Sequence, residues 1–162
     1  MMIECFDRLK IQYAIAVPDS WSSKLIRKIA DYSSTKVLLC ATEVEAVTIC
    51  SGLNLSGVLT ILIMENSGIR SAGDVLARFE LSHSIHNIFL ISDRGGFGEA
   101  NWWGAKHNCI SDNMMKELNI VTRDVYSLSD FPSALETAIE TFHNEQVSVA
   151  LKLKKSFWDE MI

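Results

Sequence analysis

Two glutamates stand one residue apart in the stretch Cys40–Val47, CATEVEAV, where an apolar run gives way to a helical pattern. Carboxylates at such a junction can do two kinds of work. Thr42 and Glu45 have the S/T-x-x-E spacing of a capping box, in which each side chain satisfies a free amide of the first helical turn. That spacing predicts that the Thr42 hydroxyl accepts from the amide of residue 45, while the Glu45 carboxylate returns to the amide of residue 42. Glu43 has no such partner. Three, four and seven residues on lie Ala46, Val47 and Cys50, so Glu43 shares the apolar stripe of the helix. It reads either as a first-turn acid favoured by the helix dipole or as an acid placed at the rim of a buried face for chemistry.

Other polar groups cluster at similar junctions. The apolar run 12–17 is followed by VPDSW, containing Asp19 and Ser20. Run 58–64 leads into MENSGIRSAGD, with Glu65, Asn66, Ser67 and Gly68. Run 87–92 leads into SDRGGFGEANWWGAKH, with Arg94 and His107. Each has an ordinary structural reading: helix cap, turn, surface salt bridge or solvated histidine. Asp19 before a helix is a good start signal in its own right.

The elements that must position these groups follow from the pattern of apolar residues. Strands are expected at 12–17, 36–41, 58–64, 87–92, 119–122 and 147–152. Helices are expected at about 2–10, 20–31, 43–55, 69–83, 109–117 and 129–144. Three of the strands are near-continuous apolar runs, as befits strands covered on both faces. Strands alternating with helices predict a single three-layer α/β domain, with a mostly parallel sheet of about six strands flanked by helices. Ligands of such sheets bind beyond the carboxyl ends of the strands, where every polar junction above falls.

The chain has 162 residues, suited to one domain, with 48% apolar and 22% charged residues. A net charge of −5 argues against a nucleic-acid surface. No apolar run is long enough for a membrane span. The opening MMIECFDRLKI lacks the apolar core of a signal peptide, and the four cysteines form no CxxC pair. Free thiols in a reducing cytoplasm are the expectation.

Four motifs in this order, VPDS, TEVEAV, MENSGIRSA and SDRGGFGE…KH, resemble the pyrimidine-binding (Pyr) domain of thiamine-diphosphate enzymes, in the form found in the sulfopyruvate and phosphonopyruvate decarboxylases. The resemblance covers about residues 10–155. It implies that Glu43, not Glu45, hydrogen-bonds the coenzyme's aminopyrimidine and activates it. It places Asp19 and His107 as groups that handle protons or substrate, and Asn66, Ser67 and Gly68 beside the coenzyme. Ser20 and Arg94 become substrate contacts, with Arg94 meeting an anionic tail. The family's Gly-Asp-Gly motif for diphosphate and metal has no counterpart here. The resemblance therefore implies a beta subunit that supplies that motif and ligates Mg²⁺, in a hetero-oligomer acting on a small 2-oxo acid. Phe97, Trp102 and Trp103 are candidates for the surface that meets it.

Two departures stand out. Glu65 occupies a position where the resembled motif has Gln, so an acid there would repel an anionic substrate or require a nearby cation. The fourth loop is altered too, with ANWW before GAKH. An alternative is a degenerate Pyr-like subunit serving assembly or regulation; another is a doubly wound domain for some other small ligand.

Overall fold

The run Thr60–Glu65 alternates two apolar sets: Ile61 and Ile63 pack into one core, Leu62 and Met64 into another. A strand with apolar side chains on both faces needs a helical layer on each, and the chain supplies both. In a computed structural model, which describes residues 2–96, 99–102 and 104–161, six strands form one sheet. They are β1 (Tyr13–Ala16), β2 (Lys36–Leu39), β3 (Thr60–Glu65), β4 (Ile88–Ser92), β5 (Val121–Val125) and β6 (Val149–Leu153). Their order is β2-β1-β3-β4-β6-β5, and every pairing is parallel. The α/β expectation holds, with the sheet wholly rather than mostly parallel.

One core joins α1 (Glu4–Arg8), α2 (Ser23–Tyr32), α7 (Phe131–Glu145) and α8 (Lys155–Glu160) through Phe6, Leu25, Ile29, Phe131, Leu135 and Phe157. The other joins α3 (Glu43–Leu55), α4 (Ser67–Ser71), α5 (Gly73–Ala77) and α6 (His107–Glu117) through Val47, Cys50, Ile69, Leu76 and Met115. Among the described residues no helix is long and apolar enough to cross a membrane.

Several expected elements differ. The helix expected at 69–83 is divided into α4, α5 and a π-helical turn at Arg78–Ser82. Within that turn Glu80 is buried, bonded to Ser148 (2.5 Å) and His86 (3.0 Å) from the entries of β6 and β4. The strand expected at 119–122 starts later, because Asn119 takes a positive φ of 57° at the end of α6. The short α8 was not expected. β2 reads as apolar as the central strands, yet it is an edge, with Leu38 41% and Leu39 60% exposed. Cys5, Cys40 and Cys50 are buried free thiols, whereas Cys109 is exposed on α6.

Candidate active site

Because all six strands run the same way, the segments that follow them meet along one edge. The chain leaves β1 toward β2 and leaves β3 toward β4, in opposite directions across the sheet. The ends of these two neighbours form the reversal point at which open α/β sheets place ligands. Asp19 and Ser20 follow β1; Glu65 to Gly68 close β3 and open α4.

Glu43 and Glu45 part company at the start of α3. Thr42 is extended (φ −140°, ψ 155°), and its hydroxyl accepts from the Glu45 amide at 3.2 Å. The Glu45 carboxylate accepts from the Ala41 amide at 2.9 Å, one residue earlier than the capping-box expectation. Glu43 is half-buried, and its carboxylate makes no hydrogen bond or ion pair among the described residues. Its stem lies against Gly68. A Cβ at Gly68 would stand 2.7 Å from the Glu43 Cγ and 2.7 Å from the Met64 Sδ. The glycine of the Asn66-Ser67-Gly68 run thus makes room for the acid.

Asn66 is fully buried and ties three segments together. Its amide nitrogen donates to Asp93 Oδ1 (3.2 Å) and to the Arg94 carbonyl (2.7 Å), and its own carbonyl accepts from Ser111 Oγ (2.7 Å). The side-chain oxygen, Oδ1, is buried with no hydrogen-bond partner among the described residues.

Asp19 does local work. Oδ1 accepts from the amides of Trp21 (2.7 Å) and Ser22 (3.1 Å), and Oδ2 accepts from the Ser22 hydroxyl (2.6 Å). Both oxygens are occupied in holding the turn that leads into α2.

A second cluster forms around Arg94, which is 4% exposed. Its guanidinium donates to Ser20 Oγ and stacks 4.3 Å from the Trp21 ring centroid. Nε lies 3.4 Å from Glu65 Oε2, and Nη1 lies 4.0 Å from Glu99 Oε1. Burial alone would raise the Glu99 pKa. Amide donors from Asn101 and Gly95, with the Arg94 charge, outweigh it and hold the carboxyl below its ordinary value. Glu65 Oε1 accepts from Ser67 Oγ (3.0 Å) and stands 3.7 Å from His107 Nδ1. His107 is the first residue of α6. Gly95, with φ of 100°, lets this loop pass close to the Gly104 carbonyl, which a Cβ would meet at 2.6 Å.

Behind the cluster, Lys152 and Lys154 of the β6 end share Asp93 and Asp124, and Lys152 also meets Asp112 at 2.6 Å. Burial would lower Lys154, but Asp93 and Asp124 together raise it above its ordinary value. This network was missed in the sequence, although lysines in the apolar run VALKLK were a signal for it. A cleft of about 690 Å³ opens beside it, on the α2 and α8 side, lined by Ser20, Trp21, Arg94, Glu99, Tyr126 and Lys154 among others. Glu43 and His107 do not line that cleft. The Arg94–Glu65 pair lies between the cleft and His107. Phe97 and Trp103 lie outside the described residues; Trp102 is 89% exposed.

No family model matches the sequence. Among curated proteins the chain is similar to sulfopyruvate decarboxylase subunit alpha of Methanocaldococcus jannaschii, with 29% identity over 89 residues, 55% of this chain and 53% of that protein. Nearly the whole chain superposes on part of larger solved structures. Benzoylformate decarboxylase from Polynucleobacter necessarius matches with a TM-score of 0.74 at 17% identity, over 99% of this chain and 29% of that one. A provisionally assigned thiamin diphosphate-dependent enzyme from Mycobacterium smegmatis gives 0.75 at 14% identity, over 98% and 30%. The chain resembles the Pyr domain of thiamine-diphosphate enzymes. 2-Oxoglutarate:ferredoxin oxidoreductase from Magnetococcus marinus shares the fold at a TM-score of 0.71 and 11% identity, over 96% of this chain and 28% of that one. The match thus spans about half of the curated relative and under a third of each solved chain.

In this Pyr-like domain the expected site residues fall into two groups. Glu43 and Gly68 meet where α3 approaches α4; Ser20, Arg94 and His107 gather across the ends of β1, β3 and β4 around Glu65, and Asn66 is bonded to the Arg94 carbonyl. Asp19 joins neither group through its carboxylate.

Proposed function

We propose that this chain is the alpha (Pyr) subunit of a thiamine-diphosphate-dependent 2-oxo acid decarboxylase, completed by a beta subunit that carries the diphosphate and Mg²⁺ site. The observation that carries this reading is the unequal fate of two neighbouring acids. Glu45 is consumed by the helix cap, while Glu43, half-buried against a glycine cut away to receive it, has no partner among the described residues. The likeness to a sulfopyruvate decarboxylase alpha subunit supports it independently.

The residues present fit the pyrimidine half of the coenzyme. Glu43 would hold a proton at a ring nitrogen, and a carboxyl group in a partly dry setting suits that exchange. Asn66 Oδ1, buried and unpartnered among the described residues, is an acceptor for a ring amine. Thiamine diphosphate, when bound, supplies the electron sink that decarboxylation of a 2-oxo acid requires. His107, held from α6 beside Glu65, is the group available to move a proton on the substrate side. Mg²⁺, a hard cation that takes oxygen ligands, belongs in this reading to the beta subunit together with the diphosphate. The exposed Trp102 belongs to the face that subunit covers.

Calorimetry tests the division of labour. The isolated chain should bind thiamine diphosphate with Mg²⁺ weakly, and the mixture with its beta subunit should bind it tightly and release CO₂ from a 2-oxo acid. Tight binding by the isolated chain would overturn the split site; absence of CO₂ release from every 2-oxo acid tried with the assembled, coenzyme-loaded pair would overturn the decarboxylase.

A further inference from the structure

We infer that this site selects 2-oxo acids whose tail carries no negative charge, because Glu65 spends the charge of Arg94. The inference rests on the decarboxylase reading and concerns the substrate side of the same site. Arg94 is the arginine that the loop after β4 brings to the β1–β3 reversal point. Its guanidinium is already met by Glu65 at 3.4 Å, Glu99 at 4.0 Å, the Ser20 hydroxyl and the Trp21 ring. Two carboxylates against one guanidinium leave no positive charge for a ligand. In a buried setting such opposed charges attract strongly, so an incoming anion would face two acids rather than a cation. Lys154, which lines the cleft beside Arg94, is balanced in the same way, 2.5 Å from Asp93 and 3.3 Å from Asp124.

Every 2-oxo acid already brings one carboxylate. A sulfonate or phosphonate tail would add a second anion facing Glu65 and Glu99. A neutral tail has no such conflict.

The test compares 3-sulfopyruvate with an uncharged acid of similar length, 2-oxopentanoate, in the assembled enzyme. Wild type should favour 2-oxopentanoate in kcat/KM by about tenfold or more, the scale of one unfavourable charge contact in a partly buried site. Glu65→Gln keeps the shape and removes one of the two acids on Arg94. It should narrow or invert that ratio, and Glu65→Gln with Arg94→Gln should abolish the gain. Preference of wild type for 3-sulfopyruvate would overturn the inference while leaving the decarboxylase intact. An unchanged ratio in Glu65→Gln would overturn the role of Glu65.

A second measurement needs no turnover, and so separates this inference from failure of the decarboxylase reading. Sulfate titrated at constant ionic strength into the full chain should raise the melting temperature of Glu65→Gln more than that of wild type. Equal responses would refute the statement that Glu65 neutralises Arg94.

Discussion

Gly68→Ala puts the contact between α3 and α4 under direct test. In an ordinary helix this change stabilises by about 1 kcal/mol, because alanine loses less backbone freedom on folding. Here the new methyl would lie 2.7 Å from the Glu43 Cγ and the Met64 Sδ and 3.3 Å from the Met64 Cγ. The two shorter contacts are about 0.8 Å inside the ~3.5 Å of a comfortable carbon contact. Met64 is fully buried on β3 and has little room to retreat; Glu43 is at the rim and can swing out. Overpacking costs about 1–3 kcal/mol, so the expected net loss is up to about 2 kcal/mol. The functional loss should be larger. Displacing the Glu43 carboxyl by about 1 Å should slow the step it serves by about 10²-fold. Chemical denaturation of the chain gives the first figure, and exchange of the coenzyme's thiazolium proton in the assembled enzyme gives the second. Gly73→Ala is the control, since its methyl would meet only the mobile end of Met114 at 3.0 Å. Its stability should stay within about 0.5 kcal/mol of wild type or rise. A Gly68→Ala protein as stable as wild type, with undiminished exchange, would refute the placement of Glu43 against α4.

Three further outcomes are expected. Glu43→Gln should slow thiazolium-proton exchange by about 10²–10⁴-fold with little change in melting temperature, whereas Glu45→Ala should leave exchange intact and cost about 0.5–2 kcal/mol of stability as a lost cap. Trp102→Ala should weaken association with the beta subunit in sedimentation, with the isolated chain's stability within about 0.5 kcal/mol of wild type, because the ring is 89% exposed. Burial pushes Glu80 above its ordinary value of 4.5, against hydrogen bonds from Ser148 and His86 that pull it down. Its contribution to stability is therefore complete below about pH 4.5 and is lost as the pH rises through its folded-state pKa; urea denaturation across that window should show a fall in wild type that Glu80→Gln flattens.

The layered fold was legible because local pattern and tertiary role agree over most of the chain. They part at β2, where Val37, Leu38 and Leu39 have the composition of a central strand. Which strand ends the sheet is settled by neighbours, and periodicity carries no record of neighbours. They part again at 69–83, where one apolar stripe spans three helical pieces, because Glu80 is drawn inward by partners from distant strand entries. α8 is too short at Lys155–Glu160 for a helical period to be read. In the site, the separate duties of Glu43 and Glu45 could be read because a capping box is a local device. The binding of Arg94 by Glu65, Glu99, Ser20 and Trp21 could not, since its members come from three segments. The cation that Glu65 was expected to require is supplied by the same Arg94 that was expected to meet substrate.

Asn66 has a consequence for how this edge opens in time. One buried amide side chain holds the exit of β4 at two points, and its backbone carries bonds to β4 and α6 through Ser92 and Ser111. The segments after β3 and β4 therefore have no independent route to solvent through this joint. In hydrogen–deuterium exchange their amides near Asn66 should report one shared opening free energy, and loosening either segment should speed exchange in both.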